Sequence, residues 1–184
     1  MRLTKSSPFP GNKTLRRTLL LLLILLPGVL LNGCGPYSFS PGGKLSADLK
    51  TITINNFVMN AAGGPATLPN TFTEQLKEYF QRNTRLQLKP GGDGDLLIEG
   101  AITGYDVTPQ APTAQDKAGL NRLTITVTVR FVNTKDESAS FEQPFSFFRD
   151  FPQTQTLNQV EGQLIPPILE QIILDIFNKT AGDW

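Results

Sequence analysis

The 184-residue chain has no histidine, one cysteine and one tryptophan. Without histidine, Ser/His and Cys/His catalysis is excluded, and so is the commonest metal ligand. With a single cysteine no internal disulfide can form, so the fold must be held by core burial. Asp93-Gly94-Asp95 lacks the further oxygen ligands and distal Glu of a calcium loop, and reads as a Gly-rich turn. Gly91-Gly92-Asp93-Gly94 precedes a strand, whereas a phosphate-cradling loop leads into a helix N-terminus. No pair of carboxylates is fixed by local spacing. The chain is therefore expected to be no enzyme and to need neither cofactor nor metal.

Acidic residues are absent from the front of the chain. Arg2, Lys5, Lys13, Arg16 and Arg17 are followed by Leu19 to Leu31, apolar apart from the Pro27-Gly28 break. That is the layout of a secretory signal. The run is shorter than the roughly 20 apolar residues of a membrane-spanning helix. It ends at Leu31-Asn32-Gly33-Cys34, which resembles the bacterial lipobox. The resemblance implies that Cys34 is lipidated with diacylglycerol, becomes the first mature residue and is then acylated on its new amino group. Two or more chains anchor a protein stably where one does so only marginally.

The expected organisation is a signal peptide over residues 1–33, a lipidated Gly/Pro/Ser-rich tether over 34–48 and one domain over 49–184. The mature part keeps all sixteen acidic residues but loses five basic ones, for a net charge of −4. A basic footprint for nucleic acid is absent. No acid follows Cys34 directly, and for a chain that resembles a bacterial lipoprotein this implies the outer membrane, facing the periplasm, as the default destination.

Within the domain, Ile52 and Ile54 alternate with threonines and predict a half-buried strand over 50–57. Asn60 to Asn70 reads as a loop. Thr71 to Glu74 offers a capping box, opening a helix to Arg82 with Phe72, Leu76, Tyr79 and Phe80 on one face. Leu96 to Val107 reads as a strand, and Thr108 to Gly119, with Pro109 and Pro112, as a loop. Residues 123–131 are the clearest strand: Leu123, Ile125, Val127, Val129 and Phe131 point one way, Thr124, Thr126, Thr128 and Arg130 the other. Phe141 to Phe151 returns antiparallel, and Pro144 places it at an edge or on a bulge. A closing helix over 156–179 is expected to kink or split at Pro166-Pro167. The predicted class is α+β, a two-layer sandwich with two helices on one face of a mixed four-stranded sheet.

Three features are open to a binding reading. Lys77, Arg82 and Arg85 gather around the end of the first helix, where they either oppose the helix dipole or bind anions. Phe145, Phe147, Phe148 and Phe151 read as core packing with an exposed ring, or as an acyl pocket. The polar face of strand 123–131 is either solvated or set against another protein.

The blocks CGPYSFSPGGKLSADLKTITINNF, NTFTEQLKEYFQRNTRLQL, GDLLIEGAITGYDVTP and NRLTITVTVRFVNTKD, with the closing ILDIFNKTAGDW, resemble the LptE family of lipopolysaccharide-assembly lipoproteins in its Bacteroidota-type branch. The resemblance covers nearly all of residues 34–184. It implies an outer-membrane lipoprotein that plugs and supports a large LptD-type β-barrel in lipopolysaccharide transport. It also implies lipopolysaccharide contacts through basic side chains, for which Lys77, Arg82, Arg85 and Lys135 are the candidates. The strand bearing Thr124, Thr126, Thr128 and Arg130 is the candidate barrel-facing surface, because a plug in a barrel lumen meets polar walls. The rival reading is a stand-alone periplasmic carrier of lipid or glycolipid, with a cavity under its helices.

Overall fold

The structure is a computed structural model in which residues 48–111 and 119–182 are described. Cys34, the leader and the tether lie outside those residues. In chain order the elements are β1 (Thr51–Ile54), β2 (Val58–Met59), α1 (Leu68–Asn83), β3 (Gln87–Leu88), β4 (Leu96–Gln110), β5 (Leu120–Asn133), a 3-10 turn (Glu137–Ala139), β6 (Phe141–Pro152) and α2 (Leu157–Thr180). The sheet runs β3-β1-β4-β5-β6, with β2 also paired to β4. β1 is parallel to β3 and β4, and β2 is parallel to β4, whereas β4, β5 and β6 form an antiparallel meander.

The class is α+β with two helices and a mixed sheet, as expected, but the sheet has six strands rather than four. One addition comes from an interruption. After Asn55, whose N–H still donates to Ile98 O at 2.9 Å, the chain leaves the ladder, and the Phe57 N–H donates instead to Thr73 Oγ1 of α1 at 3.0 Å. The Phe57 ring meets Phe72 edge-on at 4.8 Å. The chain then rejoins β4 as β2. The other addition is β3, which joins β1 after α1 through Gln87 N to Lys50 O and Lys89 N to Ile52 O, both 2.9 Å.

α1 begins at Leu68, earlier than expected, with Pro69 in its first turn, where the missing N–H costs nothing. The Thr71–Glu74 segment therefore lies inside the helix rather than capping it. α2 instead carries a reaching cap: Gln159 Oε1 accepts from Thr156 N at 2.9 Å. α2 is also a single helix of 24 residues, not split at Pro166-Pro167. The carbonyls that lose partners belong to Gly162 and Gln163, both exposed, so water can satisfy them.

β4 runs on to Gln110, with Pro109 paired to Asn121 where a loop was expected. Beyond Ile102 no described strand lies on the far side of β4, so Pro109 can turn its donor-less nitrogen to that open edge. A bulge between Ile102 and Gly104 shifts the register by one residue. Before it, Ile98 and Ile102 face the core; after it, Tyr105 pairs with Ile125 and Val107 with Leu123, so one inner face is kept. β6 is an edge strand in continuous register with β5, as Pro144 implied.

One core joins both helices to the sheet. Phe72, Leu76 and Phe80 of α1 and Ile168, Leu169, Ile172 and Ile176 of α2 are fully buried with Ile52, Ile98, Ile125, Val127 and Val129. Phe177 links the helices, its ring edge-on to Tyr79 at 5.1 Å and to Phe80 at 5.3 Å. Among the described residues no buried side-chain polar atom lacks a partner.

Candidate functional site

Strand alternation puts core residues on the helix side of β5 and Arg122, Thr124, Thr126, Thr128 and Arg130 on the other side. No described element packs over that outer face. Its hydroxyls are joined across strands. Thr126 Oγ1 lies 3.0 Å from Ser146 Oγ on β6, and Thr128 Oγ1 lies 3.0 Å from Thr103 Oγ1, the bulged residue of β4. The bulge thus supplies an extra hydroxyl to this surface.

Ion pairs close both ends of the threonine row. Arg130 Nη1 donates to Glu99 Oε1 at 2.5 Å, and Asn55 Nδ2 donates to Glu99 Oε2 at 3.0 Å. The Asn55 amide, with Arg130 second, holds the Glu99 carboxyl below the usual range. At the other end Arg122 grips Asp150 with Nε at 2.7 Å and Nη2 at 2.9 Å, lowering the Asp150 pKa. The same guanidinium lies 3.6 Å from the centre of the Phe148 ring. A bidentate, stacked arginine gives up less rotamer freedom per bond than a lysine would.

A groove of about 590 Å³ opens on this face where β1 breaks into β2, lined in part by Asn55, Asn60, Glu99, Thr128, Arg130 and Glu142. A second, of about 460 Å³, runs along polar residues of α1 including Glu74, Lys77 and Glu78. Both are open surface grooves. Of the four aromatics on β6, Phe145 and Phe151 are buried, Phe147 is half-buried and Phe148 is 42% exposed on the outer face. They do not line a common cavity.

The basic candidates are spread rather than gathered. Lys77 Nζ sits 2.9 Å from Glu74 and 3.4 Å from Asn56 Oδ1. Arg82 pairs with Glu78 one turn earlier. Lys135, in the β5–β6 turn, reaches Asp95 at 3.5 Å. Arg85 is exposed and, among the described residues, has no carboxylate partner.

Sequence reasoning missed Asp95, treating it as part of a turn. Its Oδ2 accepts from Lys50 N and Thr51 N at 3.0 Å and from Thr51 Oγ1 at 2.9 Å, while its carbonyl accepts from Thr134 N and Oγ1. These bonds pin the starts of β1 and β4 to the β5–β6 turn, and they lower the carboxyl pKa from 3.8 to about 2. Arg122 and Asp150 were also missed: only the β5–β6 register brings residues so far apart in sequence face to face.

Among solved structures, the chain is similar to a minor lipoprotein from Acinetobacter baumannii, at 19% identity and a TM-score of 0.47 over 71% of this chain and 91% of that one. It is similar to lipoprotein B from Nitrosomonas europaea, at 12% identity and a TM-score of 0.48, over 70% and 79%. Rare lipoprotein B from Shewanella oneidensis gives 9% identity and a TM-score of 0.43, over 69% and 89%. No curated protein matches the chain. The family model described as LptE, lipopolysaccharide-assembly, matches residues 49–180, almost the whole of the described fold. The chain belongs to the LptE family of lipopolysaccharide-assembly proteins.

Proposed function

We propose that this protein is an outer-membrane lipoprotein, anchored through Cys34 and facing the periplasm, that plugs and supports an LptD-type barrel during lipopolysaccharide transport. In this reading residues 1–33 are removed, residues 34–48 tether the lipidated end, and the domain from residue 49 enters the barrel. The role is one of scaffolding and positioning, with no reaction at any residue.

The observation that carries the barrel contact is the uncovered outer face of β5. Its side chains are polar, and Thr126, Thr128 and Arg130 are oriented by bonds to neighbours within the sheet while keeping donors and lone pairs to spare. Such a pre-oriented surface can exchange water for the polar groups of a barrel wall, which take up the donors and acceptors left over. The core is filled by side chains from both helices and the sheet, which favours a plug over a carrier with a lipid cavity. Lipopolysaccharide contacts fall to cations away from this face. Arg85 is the most available of them, because Lys77, Arg82 and Lys135 are each shared with a carboxylate.

The test is copurification. A C-terminally tagged chain, expressed in a host of its own type and mildly solubilised from the outer membrane, should bring down a large barrel in near-equal amount. Cys34→Ala should reduce that recovery sharply. Recovery of the lipidated chain alone would reject the plug reading.

A further inference from the structure

Among the described residues no strand pairs with the outer edge of β6, and that edge has a pattern that its role as a simple sheet border does not explain. Gln153 N donates to Gly119 O at 3.0 Å, in the register that places Leu120 opposite Pro152. Backbone groups alternate in direction along an antiparallel strand. Odd-numbered residues of β6 therefore bond to β5, and the even-numbered ones turn their backbone groups to the open edge. Pro144 and Pro152 are both even-numbered, so their missing N–H groups fall on the open side and cost the β5 ladder nothing.

An open edge of this length is a template for another strand, and proteins blunt such edges with proline and charge. Here the prolines bracket the edge without blocking its middle. They stand at equal distances on either side of Phe148, leaving outward donors at Ser146, Phe148 and Asp150. We infer that this window pairs with the same window of a second copy, antiparallel, about a two-fold axis at Phe148.

The facing residues fit that symmetry. Phe148 lies opposite Phe148 of the second copy, and the 42% exposed rings face each other across the axis. Ser146 lies opposite Asp150, so neither Asp150 carboxylate meets a like charge across the axis. Phe147 lies opposite Arg149, a ring against a cation that already hovers 5.5 Å from the ring centre within one chain. Pro144 meets Pro152, so each place where one edge lacks a donor meets the same lack on the other. Sequences that pair with themselves in this way suit the isologous interface of a two-fold dimer. The inference does not rest on the barrel reading, and its test uses the chain without a barrel.

Facing residues in a hydrogen-bonded antiparallel pair have Cα atoms about 5.5 Å apart, within the span of a disulfide. The full chain, solubilised in mild detergent and purified free of other proteins, should therefore cross-link to itself as Phe148→Cys under air oxidation. Glu142→Cys, far from the axis, should not, and the wild type reports any contribution from Cys34. Sedimentation should give a dimer for the wild type and a monomer for Phe148→Glu, which sets two like charges on the axis. A monomeric wild type with no cross-link at residue 148 would overturn the inference. So would equal cross-linking from residues 142 and 148.

Discussion

Gly100 shows how closely two strands approach at one residue. A Cβ there would lie 2.1 Å from the Thr128 carbonyl oxygen and 2.7 Å from the Phe57 ring, so no side chain fits without shifting β4 away from β5. Gly100→Ala should lower stability by more than about 2 kcal/mol in urea denaturation. Gly162, in α2, has nothing within 4 Å of its would-be Cβ. There the same substitution should raise stability by about 0.5–1 kcal/mol, through helix propensity alone. Asp95 gives a pH signature at the same scale. Its folded pKa, about 2, lies below its ordinary 3.8, so the folded state binds fewer protons than the unfolded one. Its contribution is complete above pH 3.8 and is lost as the pH falls through about 2. The stability gap between wild type and Asp95→Asn should therefore be constant near neutrality and close as the medium is acidified through that window. A gap independent of pH would show that the Thr51 and Lys50 bonds do not depend on the charge.

At the scale of elements, α1 is held to the rest by rings. Phe80 is fully buried and stacks edge-on with Phe177 of α2. Phe80→Ala should cost about 3–5 kcal/mol by leaving a cavity where the two helices meet. Much of this layer was legible in the sequence, because alternation and helical spacing report burial directly. Ile52 and Ile54, the row from Leu123 to Phe131, and Phe72, Leu76 and Phe80 all fall on the faces their spacing assigned. The differences arose where tertiary partners overrode local signals. Thr73, inside a predicted cap, is claimed by Phe57 N and Pro69 O. Pro109 is carried into β4 by pairing with β5. Pro166-Pro167 are absorbed by a helix whose buried stripe, from Ile168 to Ile176, lies beyond them. The outer face was legible as a polar row of threonines. The ion pairs that close its ends depend on register, which one sequence does not display.

For the whole molecule, the arrangement separates three tasks. In the proposed reading the leader and Cys34 serve the membrane and the outer sheet face meets a partner, while the helices and inner sheet face make the core. Arg85 lies off that face, at the end of α1, and is exposed. Arg85→Glu should weaken lipopolysaccharide binding, measured with purified chain and lipopolysaccharide micelles, while leaving barrel recovery unchanged. Arg82→Glu should have the smaller effect, since its charge is already shared with Glu78. The central claim, that the outer face of β5 meets the barrel, is tested most directly by a photo-crosslinking side chain placed in cells at Thr126 or at Glu170, an exposed position on α2. The account predicts that residue 126 captures a large outer-membrane barrel and residue 170 does not. Capture from residue 170 alone, or from neither position, would contradict it.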